Sequence, residues 1–284
     1  MPRWTVDAPT RLDFDDVTAL QVRLIDGTVA VLATDDSPSI VVSDIKGRPL
    51  QVGYEAGALT IGYDALSWER LLDWLMPVHD TAALTITVPA DCPIELGVVS
   101  ASAVVCGLSS GAAVKGVSGE VTLDGVAGHV EAETVSGALE GRDVDGSVSF
   151  KSISGDLTLA DGALTRLEAD NISGQIAADA SLAAMGGMRI STISGEVTVR
   201  LPADSDARVR LHSTSGNVRS EFDALRAAMS PGSHTVSGNL GDGSGNVSVN
   251  SVCGAVTLLR RPGRRATPHA EPPRAEAEME SETR

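Results

Sequence analysis

A serine-glycine pair recurs along this chain at nearly constant spacing, and this repeat constrains the fold more than any other feature. Consecutive copies lie 16 to 22 residues apart, and the eighth copy has cysteine in place of serine. A fixed period of about 20 residues indicates one supersecondary unit stacked on copies of itself. The sixteen residues of the repeat are Ser118, Gly119, Ser136, Gly137, Ser154, Gly155, Ser173, Gly174, Ser194, Gly195, Ser215, Gly216, Ser237, Gly238, Cys253 and Gly254.

The residues around each pair alternate between apolar and polar, which is the pattern of a β-strand. Val130 and Ala132 precede Ser136, for example, and Leu139 follows Gly137. The inward parity changes across the pair, so the chain must bend there, and glycine suits a bend because it lacks a Cβ atom. Two strands and two bends fit into about 18 residues, which is one coil of a β-solenoid. We therefore predict an all-β fold with a parallel β-solenoid over residues 92–259.

Stacked coils place equivalent residues in columns. We expect the hydroxyls of the repeated serines to be buried and to bond to one another, with Cys253 as a small buried substitute. Seven equivalent serines favour a structural role, because nucleophilic catalysis needs one distinguished nucleophile beside a base. A second polar column is predicted two residues before each pair: Thr134, Ser152, Asn171, Thr192, Ser213, Thr235 and Ser251.

The first 91 residues differ in composition from the repeats, since six of the eight aromatic residues precede residue 80. We predict that residues 1–91 form a capping region of short antiparallel strands with one helix over residues 67–76. Tight hairpin turns are predicted at Asp26-Gly27 and at Ala56-Gly57.

Two interruptions and a tail complete the predicted organisation. A loop is predicted over residues 181–188, and a short helix over residues 221–229, with Ser220 as its N-cap. Four arginines within residues 260–265 are followed by a Pro/Ala/Glu-rich end, which predicts a disordered tail over residues 260–284.

Charge and cysteine content narrow the classes of function. The net charge is −16, which disfavours phosphate backbones and argues against a nucleic-acid partner. Residues 1–14 lack the apolar core of a signal peptide, and no stretch approaches the roughly 18 apolar residues of a membrane span. The three cysteines are odd in number and widely separated, so we expect reduced thiols in an acidic cytoplasmic protein without a transmembrane segment.

Two groups of residues resemble metal ligands. His212 and His234 each lie three residues before a serine of the repeat and could stack, since imidazole pairs bind transition metals. Their column neighbours, Ser191 and Asn250, are poor ligands, so we expect an ordinary exposed pair. Residues 241–246 are similar to calcium-binding Gly-Asp turns, but that motif needs several copies, so a flexible turn is expected. We predict no metal and no cofactor.

Outward polar residues after the glycines form a stripe: Glu120, Asp156, Gln175, Glu196, Asn217 and Asn239. Two carboxylates at a suitable separation can cleave glycosidic bonds. A carbohydrate-active enzyme acting on an acidic glycan is therefore the alternative function, with Glu120, Asp156 or Glu196 as its essential groups. No pair is distinguished from the rest, so no catalytic residue is predicted and the stripe is interpreted as a solvated face.

The repeat, written Val/Ile-Ser-Gly-x-Val/Leu, follows a strand-rich opening that ends at Leu84–Pro89. Over roughly residues 15–260 the chain resembles the bacterial "putative adhesin" family of β-strand-repeat proteins. That resemblance implies the fold and brings no catalytic residues with it. The predicted function is a non-enzymatic binding or scaffold module whose rigid, repetitive face meets a protein or cell-envelope partner. Its end coils would pair edge to edge with other copies unless they are capped.

Overall fold

The computed structural model describes residues 2–63, 80–230 and 232–262, and these residues form 24 β-strands and no helix. No helix in this part of the chain is long and apolar enough to cross a membrane. The first twelve strands are β1 (Arg3–Val6), β2 (Thr10–Asp13), β3 (Ala19–Leu24), β4 (Asp26–Ala33), β5 (Ser39–Lys46), β6 (Leu50–Glu55), β7 (Ala58–Gly62), β8 (Thr81–Val88), β9 (Ile94–Val98), β10 (Ser102–Cys106), β11 (Ala112–Gly116) and β12 (Val121–Asp124). The others are β13 (Ala127–Thr134), β14 (Leu139–Arg142), β15 (Asp145–Ser152), β16 (Leu157–Asn171), β17 (Ile176–Thr192), β18 (Val197–Pro202), β19 (Ala207–Ser213), β20 (Val218–Ser220), β21 (Arg226–Ser230), β22 (Ser233–Leu240), β23 (Gly245–Ser251) and β24 (Val256–Arg261).

The strands form two parallel stacks, and each coil of the chain adds one strand to each stack. The first stack runs β7, β3, β9, β11, β13, β15, β16, β17, β23 and β19. The second runs β8, β4, β10, β12, β14, β16, β17, β18, β24 and β20. The long strands β16 and β17 belong to both stacks and join them. The chain is therefore all-β and solenoid-like, as the repeat predicts.

The core lies between the two stacks and is filled by the inward side chains of every coil. In β15 the alternation buries Val148 and Phe150, and in the next coil Leu167 and Ala169 occupy the matching positions. Phe150 is fully buried. Because strand side chains alternate with a period of two, the apolar residues of each coil meet those of its neighbours in one continuous core.

The N-terminal end combines parallel and antiparallel pairing. β3 pairs in parallel with β7 and β9, and β4 with β8 and β10, so the hairpin predicted at Asp26-Gly27 is wrong. Gly27 instead turns a coil corner with φ of 111°, where a Cβ would lie 2.0 Å from the Ala82 carbonyl oxygen. The hairpin at Ala56-Gly57 is confirmed by the antiparallel pairing of β6 with β7.

The outer cap at this end is antiparallel. β1 pairs with β6, β2 pairs with β5, and β5 pairs with β8. The helix predicted over residues 67–76 lies outside the described residues.

The C-terminal end departs from sequence order. β23 and β24 form the last coil among the described residues, yet they lie between the β17/β18 coil and β19/β20. Beyond β19, the strands β22 and β21 add an antiparallel cap. The outermost strands of the described chain (β1, β2, β20 and β21) have only three to five residues each. Such short edges offer little template for edge-to-edge pairing.

Three local predictions are corrected here. The helix over residues 221–229 is wrong, although Ser220 Oγ does accept a hydrogen bond from the Phe222 N–H at 3.1 Å. The chain turns there and continues as β21, because β22 supplies its backbone partners. Residues 181–188 are part of β17 rather than a loop. β24 extends through Arg261, into the tail predicted from residue 260, and residues 263–284 lie outside the described residues.

Candidate functional site

Seven of the eight repeat pairs lie at one corner of the coils, where a first-stack strand passes into a second-stack strand. Down the stack the order of their glycines is Gly119, Gly137, Gly155, Gly174, Gly195, Gly254 and Gly216. Ser237 and Gly238 lie elsewhere, within β22, where Ser237 is opposite Arg210 of the antiparallel β19. The interpretation of that pair as a coil corner is therefore wrong, because β22 reverses direction to cap the stack.

The corner glycines are required by close approach between coils. A Cβ on Gly155 would lie 2.1 Å from the carbonyl oxygen of Gly137, and one on Gly195 would lie 1.9 Å from that of Gly174. Gly174 alone among these glycines has a positive φ, of 147°. The glycine column is thus explained by stacked backbones rather than by a left-handed conformation.

The serine hydroxyls are not buried as predicted. Ser154 is exposed, and its Oγ donates to the Val135 carbonyl of the preceding coil at 3.3 Å. The same carbonyl accepts the Ser154 backbone N–H at 2.8 Å. At the corner the side chains of two consecutive residues, Ile153 and Ser154, both face solvent. The prediction of buried serines did not allow for this break in the alternation. Cys253 is likewise exposed rather than buried.

The polar column that points inward is the second one, two residues before each serine: Asn171, Thr192, Ser213 and Ser251 are buried, and Thr134 and Ser152 are partly buried. Its hydroxyls accept hydrogen bonds from the glycine N–H groups three residues later: Gly155 N–H donates to Ser152 Oγ at 2.7 Å. The equivalent bonds to Thr134, Thr192, Ser213 and Ser251 span 2.8 to 3.1 Å. Thr235 is not a member, because it lies in the antiparallel β22.

Asn171 breaks this hydroxyl pattern. It is only 6% exposed, and its Nδ2 donates to the Gly155 carbonyl at 2.9 Å. Its Oδ1 has no hydrogen-bond partner among the described residues. The Asn171 amide therefore replaces a hydrogen bond within its own coil with one to the neighbouring coil.

At six of the seven corners the residue before the pair is valine or isoleucine, and before Ser215 it is Thr214. We call five of these residues the aliphatic ladder, and they are 43% to 51% exposed: Val135, Ile153, Ile172, Ile193 and Val252. The ladder order follows from the bonds that the next serines donate to their carbonyls. A ladder of large exposed apolar residues in register marks a binding surface more than scattered exposed residues do.

A groove of about 500 Å³ follows the middle of the ladder. We call it the corner groove. Ile153, Ile172 and Ile193 line one side of it, and Asn171 lies on its lining as well. Outward residues of the first stack, including Glu133, Lys151 and Asp170, form its other side. This groove and its ladder are the candidate site, and the sequence analysis did not predict it.

The polar stripe keeps its carboxylates apart. In the stack, Ala138 separates Glu120 from Asp156, and Gln175 separates Asp156 from Glu196. Asp156 Oδ1 also accepts the Gln175 backbone N–H at 2.7 Å. No two adjacent coils of the stripe therefore present a pair of carboxylates at the separation of about 5 Å that a retaining glycosidase uses.

The two histidines that were considered as metal ligands, His212 and His234, do not lie opposite each other. His212 lies opposite Thr235 rather than His234, and its Nδ1 is 3.1 Å from Thr235 Oγ1. The described residues contain no cluster of three or more His, Cys, Asp or Glu side chains suited to a metal ion.

The Gly-Asp turn is closed by Asp206. Its Oδ1 accepts the Ser244 backbone N–H at 3.1 Å, and its Oδ2 accepts the Ser244 hydroxyl at 2.7 Å. The Ser244 side chain, with its backbone N–H, holds the pKa of the Asp206 carboxyl below its ordinary value. The turn is therefore held by a side chain from a neighbouring loop and is not a free loop.

The thiols of Cys92 and Cys106 are poorly suited to nucleophilic chemistry. Burial, assisted by the Asp91 charge, raises the pKa of Cys92 to about 11, so the nucleophilic thiolate is scarce near neutral pH. Burial also raises the pKa of Cys106, and Asp124 adds to the effect.

One further copy of the corner has a signal that the sequence analysis missed. Val99, Ser100 and Ala101 precede Ser118 by one repeat interval, and Ser118 Oγ donates to the Val99 carbonyl at 3.1 Å. Ala101 stands where later coils have glycine, and its carbonyl oxygen would be 2.0 Å from a Cβ on Gly119.

The fold is thus that of a small all-β, solenoid-like repeat protein whose corners carry one aliphatic ladder. Residues 79–259 match the Toastrack DUF4097 family, and the chain belongs to that family. No curated protein matches it.

Solved structures of three bacterial proteins resemble it, and each aligns over 89% of this chain. A "putative lipid binding protein" from Parabacteroides distasonis is 14% identical, with 96% of its own chain covered and a TM-score of 0.47. A "putative adhesin" from the same species is 11% identical, with 96% covered and a TM-score of 0.44. A "putative adhesin" from Bacteroides fragilis is 12% identical, with 97% covered and a TM-score of 0.42.

Proposed function

We propose that this chain is a non-enzymatic binding module that meets a protein or cell-envelope partner through the aliphatic ladder. The observation that carries the proposal is the row of Ile and Val side chains exposed in register along one corner. Each rung is held by backbone bonds to the coils above and below it, so the surface is ordered before any partner arrives. A preformed apolar surface loses little conformational entropy on binding.

The arrangement of the polar groups supports a role without catalysis. The hydroxyls of Ser154, Ser173 and Ser194 each donate to a carbonyl of the neighbouring coil, and the same bond recurs from coil to coil. A catalytic serine would instead need one hydroxyl set apart beside a general base. The separation of the carboxylates along the polar stripe also supports a role without catalysis.

Site-specific photo-cross-linking tests this proposal. A benzophenone amino acid is placed at Ile172 in the ladder, or at Val104, which is a similarly exposed aliphatic residue in β10 outside the ladder. Irradiation of bacteria producing each variant should give a defined adduct at position 172 and none at position 104. The adduct should disappear when Ile153→Asp is added, because that change places a charge on the adjacent rung. Equal adducts at both positions, or none at position 172, would refute the proposal.

A further inference from the structure

The backbone carbonyls of the ladder beside the corner groove are already occupied. The carbonyl oxygen of Ile153 accepts the backbone N–H of Ser173 at 2.8 Å and its hydroxyl at 3.3 Å. The carbonyl of Ile172 accepts the N–H of Ser194 at 2.9 Å and its hydroxyl at 3.3 Å. A carbonyl oxygen has two lone pairs, so these acceptors have no capacity left. An extended peptide would find no backbone partners along these rungs, whereas a ligand that is apolar along its length needs none.

The ladder by itself is too small to hold a second copy of the chain, which would have to cover surface beyond it. The ladder is one side chain wide, and its five residues expose on the order of a few hundred Å². A stable interface between two proteins buries about 800 Å² on each partner. A single narrow chain lying along the rungs would fill the groove without requiring any surface beyond it.

The charges on the rim of the groove determine which ligand head groups are attracted or repelled there. Glu133, Lys151 and Asp170 occupy successive rungs, and Lys151 Nζ is 3.9 Å from a Glu133 carboxylate oxygen. The three charged residues that line the groove therefore sum to one negative charge, and Asp170 is the carboxylate outside the Glu133–Lys151 ion pair, while Lys115, beside Glu133, lies outside the groove lining. The whole chain carries a net charge of −16, so an anionic head group is repelled at short and long range.

We propose that the corner groove binds the alkyl chain of a single-chain amphiphile whose head group is cationic or uncharged. The inference rests on the proposed function, because it assigns a ligand class to the ladder. The alkyl chain lies across the rungs of Ile153, Ile172 and Ile193, and the head group lies near Asp170 at the rim.

Methyl NMR of the full-length protein tests the inference. The probes are dodecyltrimethylammonium, dodecyl maltoside and dodecanoate, each kept below its critical micelle concentration. The methyl signals of Ile153, Ile172 and Ile193 should shift and saturate with the first two probes, while that of the buried Ile190 stays in place. Dodecanoate should bind roughly tenfold more weakly because of the negative rim. Ile172→Asp should abolish the shifts at Ile153 and Ile193, and the matched control Val104→Asp should preserve them.

The outcomes separate this inference from the proposed function. If no dodecyl probe shifts the three ladder methyls while the cross-linker at position 172 still gives its specific adduct, the alkyl ligand is refuted and the binding module stands. If both experiments fail, both proposals are refuted. Equal binding to the wild type and to Ile172→Asp would identify non-specific detergent association and would overturn the inference.

Discussion

At the scale of single residues, the corner shows why one dipeptide recurs. Serine is outward and joins two coils through its N–H and its hydroxyl, while glycine is inward and allows those coils to touch. The residue before the serine has no such constraint, because its side chain faces solvent. Its persistence as valine or isoleucine in five rungs is the reason to interpret the ladder as a binding surface.

The glycine column makes a sharp prediction about substitution. Gly155→Ala should destabilise the fold by about 1–3 kcal/mol or more, because the new Cβ would overlap the Gly137 carbonyl oxygen. Gly53→Ala is the matched control, since no atom lies within 4 Å of a Cβ at that strand position. Urea unfolding followed by circular dichroism measures both variants. Equal stability of the two would show that the coils can separate at the corner without cost.

The two polar columns should respond differently to loss of a hydroxyl. Ser152→Ala leaves the buried Gly155 N–H without its acceptor, which should cost about 1–3 kcal/mol in the free energy of unfolding. Ser154→Ala removes an exposed hydroxyl whose N–H keeps the same carbonyl partner, so it should cost less than about 1 kcal/mol. Denaturant titrations of the two variants compare them directly. A larger loss from Ser154→Ala would contradict the assignment of the inward-pointing column.

At the scale of elements, the sequence pattern predicts which segments are strands better than it predicts their partners. Alternation is the same for parallel and antiparallel strands, so β3 and β4 are interpreted as a hairpin although each belongs to a different stack. For the same reason Ser237-Gly238 is interpreted as a corner although it lies within an antiparallel cap. The candidate site was missed because the exposure of the ladder depends on the parity change at the corner.

Helix signals fail at β21 for a related reason. Ser220 forms a local cap-like hydrogen bond, and the following alanines favour a helix. The open side of β22 supplies a row of backbone partners for residues 226–230, and these non-local bonds decide the conformation. Local propensity cannot report such a partner because it comes from tertiary structure.

The Asp206 turn predicts a pH dependence of stability. Because the pKa of Asp206 is lowered in the folded state, its contribution is present above the unfolded value of about 3.9 and is lost as pH falls through the folded value. Asp206→Asn should lower the melting temperature at pH 6, and the difference from wild type should shrink below about pH 4. Thermal melts across this range, with Asp242→Asn as control, provide the measurement. A difference independent of pH would exclude the ionised carboxylate as the stabilising group.

At the scale of the whole molecule, the order of the coils matters more than their number. In a linear repeat array, removing the last repeat removes that repeat and one interface. Here the last coil among the described residues lies inside the stack, where β23 and β24 join β17 and β18 to β19 and β20. Antiparallel strands close the array at both ends, with β1 and β2 at one end and β21 and β22 at the other.

Truncation after Ser244 tests this closure. Without β23 and β24, residues 207–240 lose their neighbours in both stacks and should lose hydrogen-exchange protection together. The coils over residues 112–171 keep both of their neighbours and should remain protected. Protection of residues 207–240 in the truncated chain would contradict the inserted coil.

The inserted coil also changes how the protein would yield to force. A force that reaches the described chain at Pro262 would first load β24, which is bonded to β18 along its full length and to β20 along its first three residues. Extracting it requires shearing an interior strand out of two ladders, whereas a terminal coil would peel away one bond at a time. Because β24 is bonded on both sides, the array should resist unfolding from this end more than an array with a terminal coil would.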